Sequence, residues 1–471
     1  MSFLLWRKLS EWRQKPTQPV KKDDIMTKKI GFVSLGCAKN LTDTETMLGI
    51  LQKDGYEITA DVCDANVLVV NTCAFIDSAK EESINAILEM AQYKEENCEL
   101  LIVTGCLAQR YREEIEAELK EVDIILGTTA YDKIASAITD FYEKGERNSC
   151  VADANTHVSY DLPRVKTTPG YSAYLKIADG CDNFCTYCII PKLRGKYKSR
   201  PEESILKEAK ELAASGVKEL ILIAQDTAYY GRERGEYAVA PLVRKLSQIP
   251  GIEWIRLQYC YPENITDELV EEIASNPKVV KYIDMPLQHV SDPVLKKMGR
   301  RSRQAEIEKL VLALREKVEG IVIRTSLIVG FPGETREDFE ALKSFLIKYP
   351  LDRVGVFSYS CEEGTPAATF PQQIPDEVKE ARRGEIMELL QKVSLERNRE
   401  RIGTVTEAIA EGYDEENFCY VGRTAQDTPE VDGTAYIYSV NELNAGDIVK
   451  IKIVDADEYD VTGEVIYEFT K

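Results

Sequence analysis

From Lys28 to about Cys150, short apolar runs alternate with stretches of helical period. Ile30–Leu35, Val67–Val70 and Leu100–Thr104 read as buried strands. Thr42–Lys53, about Asp77–Lys94 and Gln109–Leu119 read as the helices that follow them. Strands that are apolar on both faces need cover on both faces, so the pattern predicts a parallel sheet between helical layers. Residues 151–168 are polar and without a clear period, which predicts a linker. Six more strands follow, Ala173–Ile177, Glu219–Ile223, Trp254–Gln258, Val280–Asp284, Val322–Val329 and Arg353–Ser358, with helical stretches between them. Six βα units predict a partial (β/α)6 version of the eight-unit barrel. Asp376–Arg401 reads as one long charged helix. From Thr404 onward, short strands broken by Gly and Asp turns predict a small antiparallel β-barrel. The fold class is therefore α/β with a C-terminal β-barrel. The expected division is an extension over 1–27, a domain over 28–150, a linker over 151–168, a barrel over 169–402 and a terminal domain over 403–471.

Composition narrows the function classes. The chain has 471 residues, 44% apolar and 30% charged, which suits an ordinary globular protein of two or three domains. A formal net charge of −20 opposes binding that rests on neutralising phosphates, so no stable nucleic-acid partner is expected. Twelve Cys stand against two His, which argues against zinc-hydrolase chemistry and His-based nucleophile triads. A chain this long needs no disulfide framework, so some of its Cys are expected to serve as metal ligands or redox groups in a cytoplasmic protein, and Cys63, Cys98, Cys150, Cys260, Cys361 and Cys419 as core or surface thiols. No run of eighteen apolar residues occurs, and no membrane span is expected. The first 27 residues carry basic groups without a sustained apolar region, and are expected to form a disordered extension, not a signal peptide.

Two Cys constellations carry the chemistry. In IADGCDNFCTYCIIPKLRG, Cys181, Cys185 and Cys188 fall within eight residues, after the first strand of the barrel, with no fourth Cys nearby. Iron–sulfur clusters are held by thiolates. A 4Fe-4S cluster on three thiolates keeps one iron open, and that iron can chelate S-adenosylmethionine (SAM) and pass it the electron that splits its sulfonium. The competing reading is a structural zinc site, which would want four ligands and the more usual C-x2-C pairs. Tyr187, inside the motif, is a candidate for packing near the adenine; a plain core Tyr is the alternative.

The second constellation is Cys37, Cys73 and Cys106, in SLGCAKN, NTCAFIDSAKEES and VTGCLAQRY. Each follows a predicted strand, and ligands of a parallel sheet bind outside the carboxyl ends of its strands. Three Cys in that place should converge on one site and hold a second cluster. Buried core thiols and a redox dithiol are the alternatives. Gly36 and Gly105 precede two of the three and permit close backbone approach.

Weaker signals surround the first motif. Ser326–Thr335, SLIVGFPGET, is a strand running into a Gly-rich turn, so Gly330 and Gly333 are candidates for SAM binding through backbone N–H groups. Gln288 and His289 end another strand, and Gln225, Asp226 and Thr227 a third. All five are rim candidates, although a lone His beside a strand is more often structurally satisfied.

With both triads in place, the chain resembles the radical-SAM methylthiotransferase family over about residues 28–471. The resemblance implies an N-terminal domain with an auxiliary 4Fe-4S cluster on Cys37, Cys73 and Cys106. It implies a SAM cluster on Cys181, Cys185 and Cys188, and a C-terminal TRAM barrel that recognises substrate. It also implies two SAM molecules per turnover, a sulfur donor and an electron donor. SLGCAKN, AQDTAYYG at Ala224–Gly231 and GRTAQDTPEVDG at Gly422–Gly433 resemble the group that methylthiolates the β-carbon of an aspartate in ribosomal small-subunit protein S-twelve, free or on the subunit. The alternative within the family is methylthiolation of tRNA adenosine, and outside it an electron carrier without turnover. From Thr404 to Lys471 there are sixteen Asp or Glu and four Lys or Arg, a net of 4 − 16 = −12. That sign favours a basic protein over tRNA as the partner.

Overall fold

The computed structural model describes residues 27–145, 147–156 and 159–467. The extension expected over 1–27 therefore lies, Thr27 apart, outside the described residues. The chain forms two compact units. One comprises residues up to Thr167 together with Lys192–Gly195, and the other Thr168–Pro191 with Lys196 onward.

The first unit is built on a parallel sheet in the order β2-β1-β3-β4-β5-β6. Its strands are β1 (Lys29–Ser34), β2 (Glu57–Ile58), β3 (Val67–Thr72), β4 (Leu100–Gly105), β5 (Ile124–Leu126) and β6 (Asn148–Cys150). Every residue of β3 and β4 is buried, and their apolar runs Val67–Val70 and Leu100–Val103 need cover on both faces. Ile30, Val67, Val69, Leu100, Ile102 and Ile124 pack against Met47 and Leu51 of the helix Ala38–Lys53 and Ile134 and Ile138 of the helix Ile134–Lys144. Each such side chain contributes roughly 1.5–3 kcal/mol by leaving water.

The structure departs from the sequence reading in three places here. The first helix begins at Ala38, directly after Cys37, four residues before Thr42. The single helix expected over Gln109–Leu119 is two, Cys106–Arg110 and Arg112–Glu118, broken at Tyr111 (φ −125°, ψ 38°). The Lys80 cation stands 6.0 Å from the Tyr111 ring, a tertiary contact that no local period reports, and that of its chain neighbour Arg110 5.0 Å. The expected linker is a strap. Glu45, fully buried, accepts from Arg164 Nε at 2.8 Å and from the Thr167 N–H at 2.6 Å, and its backbone carbonyl accepts from the Val165 N–H.

The second unit holds a second parallel sheet, β7 (Ser172–Lys176), β10 (Glu219–Ile223), β11 (Trp254–Leu257), β12 (Val279–Asp284), β13 (Val322–Val329) and β14 (Arg353–Ser358), paired in chain order. These are the six strands predicted, in an open (β/α)6 arrangement whose edges are β7 and β14. A short ribbon of β8 (Ala178–Asp179) and β9 (Lys198–Ser199) flanks the segment that bears Cys181, Cys185 and Cys188. The long helix runs from Asp376 to Arg399. Beyond it β15 (Val405–Asp414), β16 (Cys419–Thr424), β17 (Ala435–Tyr438), β18 (Ile448–Ala456) and β19 (Val461–Val465) close a five-stranded barrel in the order β15-β16-β17-β19-β18. One pair, β17 with β19, is parallel, so the barrel is not wholly antiparallel as expected. The chain leaves β17, crosses to the far side to lay β18 beside β15, and returns to close the ring.

Candidate metal centres

Three neighbouring strands deliver the first triad. The register pairs Ser34 with Asn71 and Asn71 with Thr104. Cys37 lies three residues beyond that rung, and Cys73 and Cys106 two, so all three emerge on one carboxyl-end rim. Cys37 caps the helix Ala38–Lys53, and Cys106 opens the helix Cys106–Arg110. The loops touch: a Cβ on Gly36 (φ +88°) would fall 2.8 Å from Cys73 Cβ, and one on Gly105 (φ +93°) 2.5 Å from Thr72 O. Only glycine fits either position. Ser83, buried, locks Cys73 by accepting its N–H at 3.0 Å and donating to its carbonyl at 2.9 Å.

Asn40, to which the sequence assigned no role, ties the three loops together. Its Nδ2 donates to Leu35 O at 3.1 Å and Thr72 O at 2.9 Å, and its Oδ1 accepts from Cys106 Sγ at 3.8 Å and Arg194 Nη2 at 2.6 Å. Arg194, which also pairs with buried Asp43 at 2.9 Å, sets the electrostatics. Desolvation pushes the Cys37 thiol up, but Lys39, Arg194 and the N–H groups of Asn40 and Lys39 outweigh it, and its pKa falls below the ordinary value. Burial raises Cys73, and raises Cys106 to about 12, against the pull of Arg194. Among the described residues no three Cys, His, Asp or Glu stand as ligands around a single metal ion. A cluster is a different target, because each thiolate binds its own iron and the sulfurs stand farther apart. Three thiols on one rim, beside a buried guanidinium and a lysine, fit an anionic iron–sulfur cluster.

The second triad sits on the loop after β8. Cys181 and Cys185 are buried and Cys188 partly so. Burial raises the Cys181 thiol to about 12 and Cys188 further, each also pushed up by its neighbour Cys185. Such thiols ionise when a metal supplies the compensating charge. The loop is held by Asp226, fully buried, which accepts from Asn183 Nδ2 at 3.1 Å, Asn264 Nδ2 at 2.6 Å and the Tyr261 N–H at 3.3 Å. Gln225 Nε2 donates to Asp179 Oδ1 at 3.0 Å, and its own oxygen lacks a partner. The Thr227 N–H goes to Tyr259 O at 2.9 Å. Tyr261, also unassigned by sequence, places its hydroxyl 3.7 Å from Cys185 Sγ, and Arg300 lies 4.0 Å above its ring. The string YCYP at a strand end was the one signal for it.

Tyr187 meets the Gly-rich turn edge-on, its ring centroid 6.4 Å from that of Phe331, with its buried hydroxyl unpartnered. Gln288 (φ 70°) bonds to β13 through Ser326 O at 2.8 Å and the Ile328 N–H at 2.7 Å, two residues short of Gly330. The structure thus gathers Tyr187, Gln288 and the turn around one edge of β13. The turn differs from the expected N–H cradle. Glu334 takes the N–H groups of Gly330 and Phe331, and Gln372 O takes that of Gly333 at 3.0 Å. His289 leaves the rim: it is fully buried, and its Nδ1 accepts from the Ser291 N–H at 2.9 Å. An open depression of about 530 Å³, lined by Arg244, Glu272 and Lys278 among others, contains none of these residues. No helix of the described residues is long and apolar enough to cross a membrane.

Residues 29–127 match a family described as Uncharacterized protein family UPF0004, residues 175–346 the Radical SAM superfamily and residues 402–466 the TRAM domain. Ribosomal protein uS12 methylthiotransferase RimO of Acetivibrio thermocellus is 51% identical over 453 residues, 95% of this chain and 100% of the relative. The protein of the same name from Geobacter sulfurreducens is 50% identical over 441 residues, 93% of this chain and 98% of that one. Among solved structures, the radical S-adenosylmethionine methyltransferase TsrM of Kitasatospora setae, with cobalamin and a 4Fe-4S cluster bound, matches with TM-score 0.53 at 15% identity, over 72% of this chain and 77% of that one. The cobalamin-dependent S-adenosylmethionine radical enzyme OxsB matches with TM-score 0.50 at 11% identity, over 90% and 69%. These two likenesses establish the fold. Identity of about half over nearly the whole chain goes further, and the chain belongs to the RimO family of ribosomal protein uS12 methylthiotransferases.

Proposed function

We propose that the protein is a radical-SAM methylthiotransferase that adds a methylthio group to the β-carbon of an aspartate in ribosomal small-subunit protein uS12, free or on the assembled subunit. The observation that carries the reading is the pair of Cys triads, one just beyond the ends of three parallel strands and the other on the loop after β8, in a chain half identical to named uS12 methylthiotransferases. The cofactors are two 4Fe-4S clusters and SAM. Cys37, Cys73 and Cys106 hold the auxiliary cluster, and Cys181, Cys185 and Cys188 the one that binds SAM.

When bound, the cofactors supply the electron transfer, the hydrogen-abstracting radical, the sulfur and the methyl group. The protein's own residues position and shield. Asp226 and Asn183 fix the second loop, Asn40 and Ser83 the first. Lys39 and Arg194 balance the charge of the thiolates beside them. Tyr187, Gln288 and the turn Gly330–Gly333 form the wall against which SAM is placed. Phe331, fully buried among Tyr359, Ala367 and Met298, keeps water from the back of that wall. The terminal barrel exposes Glu415, Glu416, Glu442, Asp455, Asp457 and Glu464, a surface that attracts a basic ribosomal protein and repels phosphates. An electron donor and a sulfur donor complete the partners, and the substrate places the enzyme in the cytoplasm.

Anaerobically reconstituted protein should bind about eight iron, four for each of two clusters. Cys185→Ala should abolish SAM cleavage, whereas Cys73→Ala should retain SAM cleavage and lose methylthiolation. The substrate is read by mass spectrometry of uS12 from a strain lacking the gene, where a gain of about 46 Da on one aspartate should vanish. Methylthiolated product from the Cys73 variant would remove the auxiliary centre from the reaction.

A further inference from the structure

Arg300 is buried and largely unspent. Its Nη2 donates to Pro286 O at 2.9 Å and stands 3.6 Å from Glu263 Oε2, while Nε and Nη1 have no hydrogen-bond partner. Glu263 thus engages one edge of the guanidinium, and itself also accepts the N–H groups of Arg301 at 3.2 Å and Ser302 at 3.3 Å. Buried charged donors are rarely left unpaired, so the open edge points to an anion that the polypeptide does not supply.

The surroundings locate that anion. Arg300 lies 4.0 Å over the Tyr261 ring, and the Tyr261 hydroxyl is 3.7 Å from Cys185 Sγ. The segment bearing Arg300 also grips the cysteine loop. Thr186 donates its N–H to Met298 O at 2.9 Å and its hydroxyl to Lys297 O at 2.7 Å, and a Cβ on Gly299 would come 3.6 Å from Cys185 Cα. One short stretch of chain therefore holds the guanidinium against the cysteine loop, and the Tyr261 ring, fixed through its N–H by Asp226, lies between guanidinium and thiol.

We propose that Arg300, acting through Tyr261, tunes the redox potential of the cluster on Cys181, Cys185 and Cys188 by stabilising its reduced state; the inference rests on the assignment of that triad as a cluster site. Reduction adds one electron from the donor and breaks no bond, so the cluster and its three thiolates gain one negative charge. A fixed cation and a hydroxyl donor on the Cys sulfur stabilise the more negative state, and cluster potentials follow net charge and hydrogen bonds to the sulfurs. Arg300 is a positioning and charge-supplying residue, and Tyr261 the group that touches the ligand.

The test uses the full-length chain with Cys37, Cys73 and Cys106 all replaced by Ala, so that one cluster remains, titrated with dithionite and followed by electron paramagnetic resonance. In Arg300→Gln the ratio of reduced to oxidised cluster at fixed potential should fall about tenfold, a shift of about 59 mV to more negative potential for one electron. Arg300→Lys should keep most of the parent potential. Tyr261→Phe, which retains the ring, should shift it in the same direction by less. A cluster that assembles in Arg300→Gln with the parent's potential overturns the inference alone. Should that variant not fold, an unshifted potential in Tyr261→Phe does the same. A parent chain that assembles no cluster overturns the metal-site reading and the inference together.

Discussion

The residues that organise each centre are polar and buried, and their roles come from neighbours distant in sequence. Asn40 serves the loops of all three N-terminal Cys, yet nothing in SLGCAKN marks it out. His289 shows the opposite outcome. It stands at a strand end like a rim residue, but burial lowers its imidazole to about 4 from 6.5, with Asp338 opposing and Arg382 adding. The native state therefore holds it neutral, while the unfolded chain takes up a proton below about pH 6.5. Its contribution to stability is present above that pH and is lost as pH falls towards 4, by up to about 3 kcal/mol. His289→Asn cannot titrate there. The stability gap between wild type and variant should narrow across that window in urea denaturation at a series of pH values, and a constant gap would contradict the buried neutral imidazole.

At the scale of elements, the carboxyl ends of β1, β3 and β4 explain the first centre. Continuous apolar strands fix a parallel sheet, the register aligns their ends, and the residues just beyond must converge. The turns that make this possible have no room for a side chain. Gly105→Ala would drive a Cβ to 2.3 Å from Asn71 Oδ1 in a left-handed conformation. A loss of about 1–3 kcal/mol is expected, measured by thermal unfolding, together with loss of about four iron from the anaerobic protein. The helical period continues through Gln109–Leu119, whereas the backbone at Tyr111 leaves the helical region and divides it into two helices.

Across the second unit, the open sheet and the closed barrel are joined by buried charges. Glu219 on β10 pairs with Arg256 at 2.9 Å and with Arg423 of β16. Arg324 of β13 meets Asp432 at 3.5 Å, the Tyr282 hydroxyl donates to Asp432 at 2.8 Å, and Trp254 Nε1 donates to Glu407 at 3.0 Å. Asp427 lies between Arg353, at 2.8 Å, and Arg401, at 3.9 Å. Removing one partner of a buried ion pair leaves uncompensated charge. Asp427→Asn should cost about 3–5 kcal/mol, and calorimetry should show the sheet and barrel shifting together in one transition. A shift confined to a small separate transition would mean that the barrel melts alone.

The layers and the candidate thiols were legible in the order of residues alone. Periodicity is local, so the six strands of the (β/α)6 sheet, the parallel N-terminal sheet and the terminal barrel were legible, and thiolate spacing and strand-end placement marked the six Cys. Everything that depends on contacts across the chain was settled by packing: the strap on Glu45, the parallel pairing of β17 with β19, the closure of the Gly-rich turn on Glu334, and the setting of Asn40, Arg194, Tyr261 and Arg300 about the thiols. The physical reason is one of range. A hydrophobic period reports which face of an element meets the core, whereas hydrogen bonds and charges between residues far apart in the chain exist only once the elements have packed.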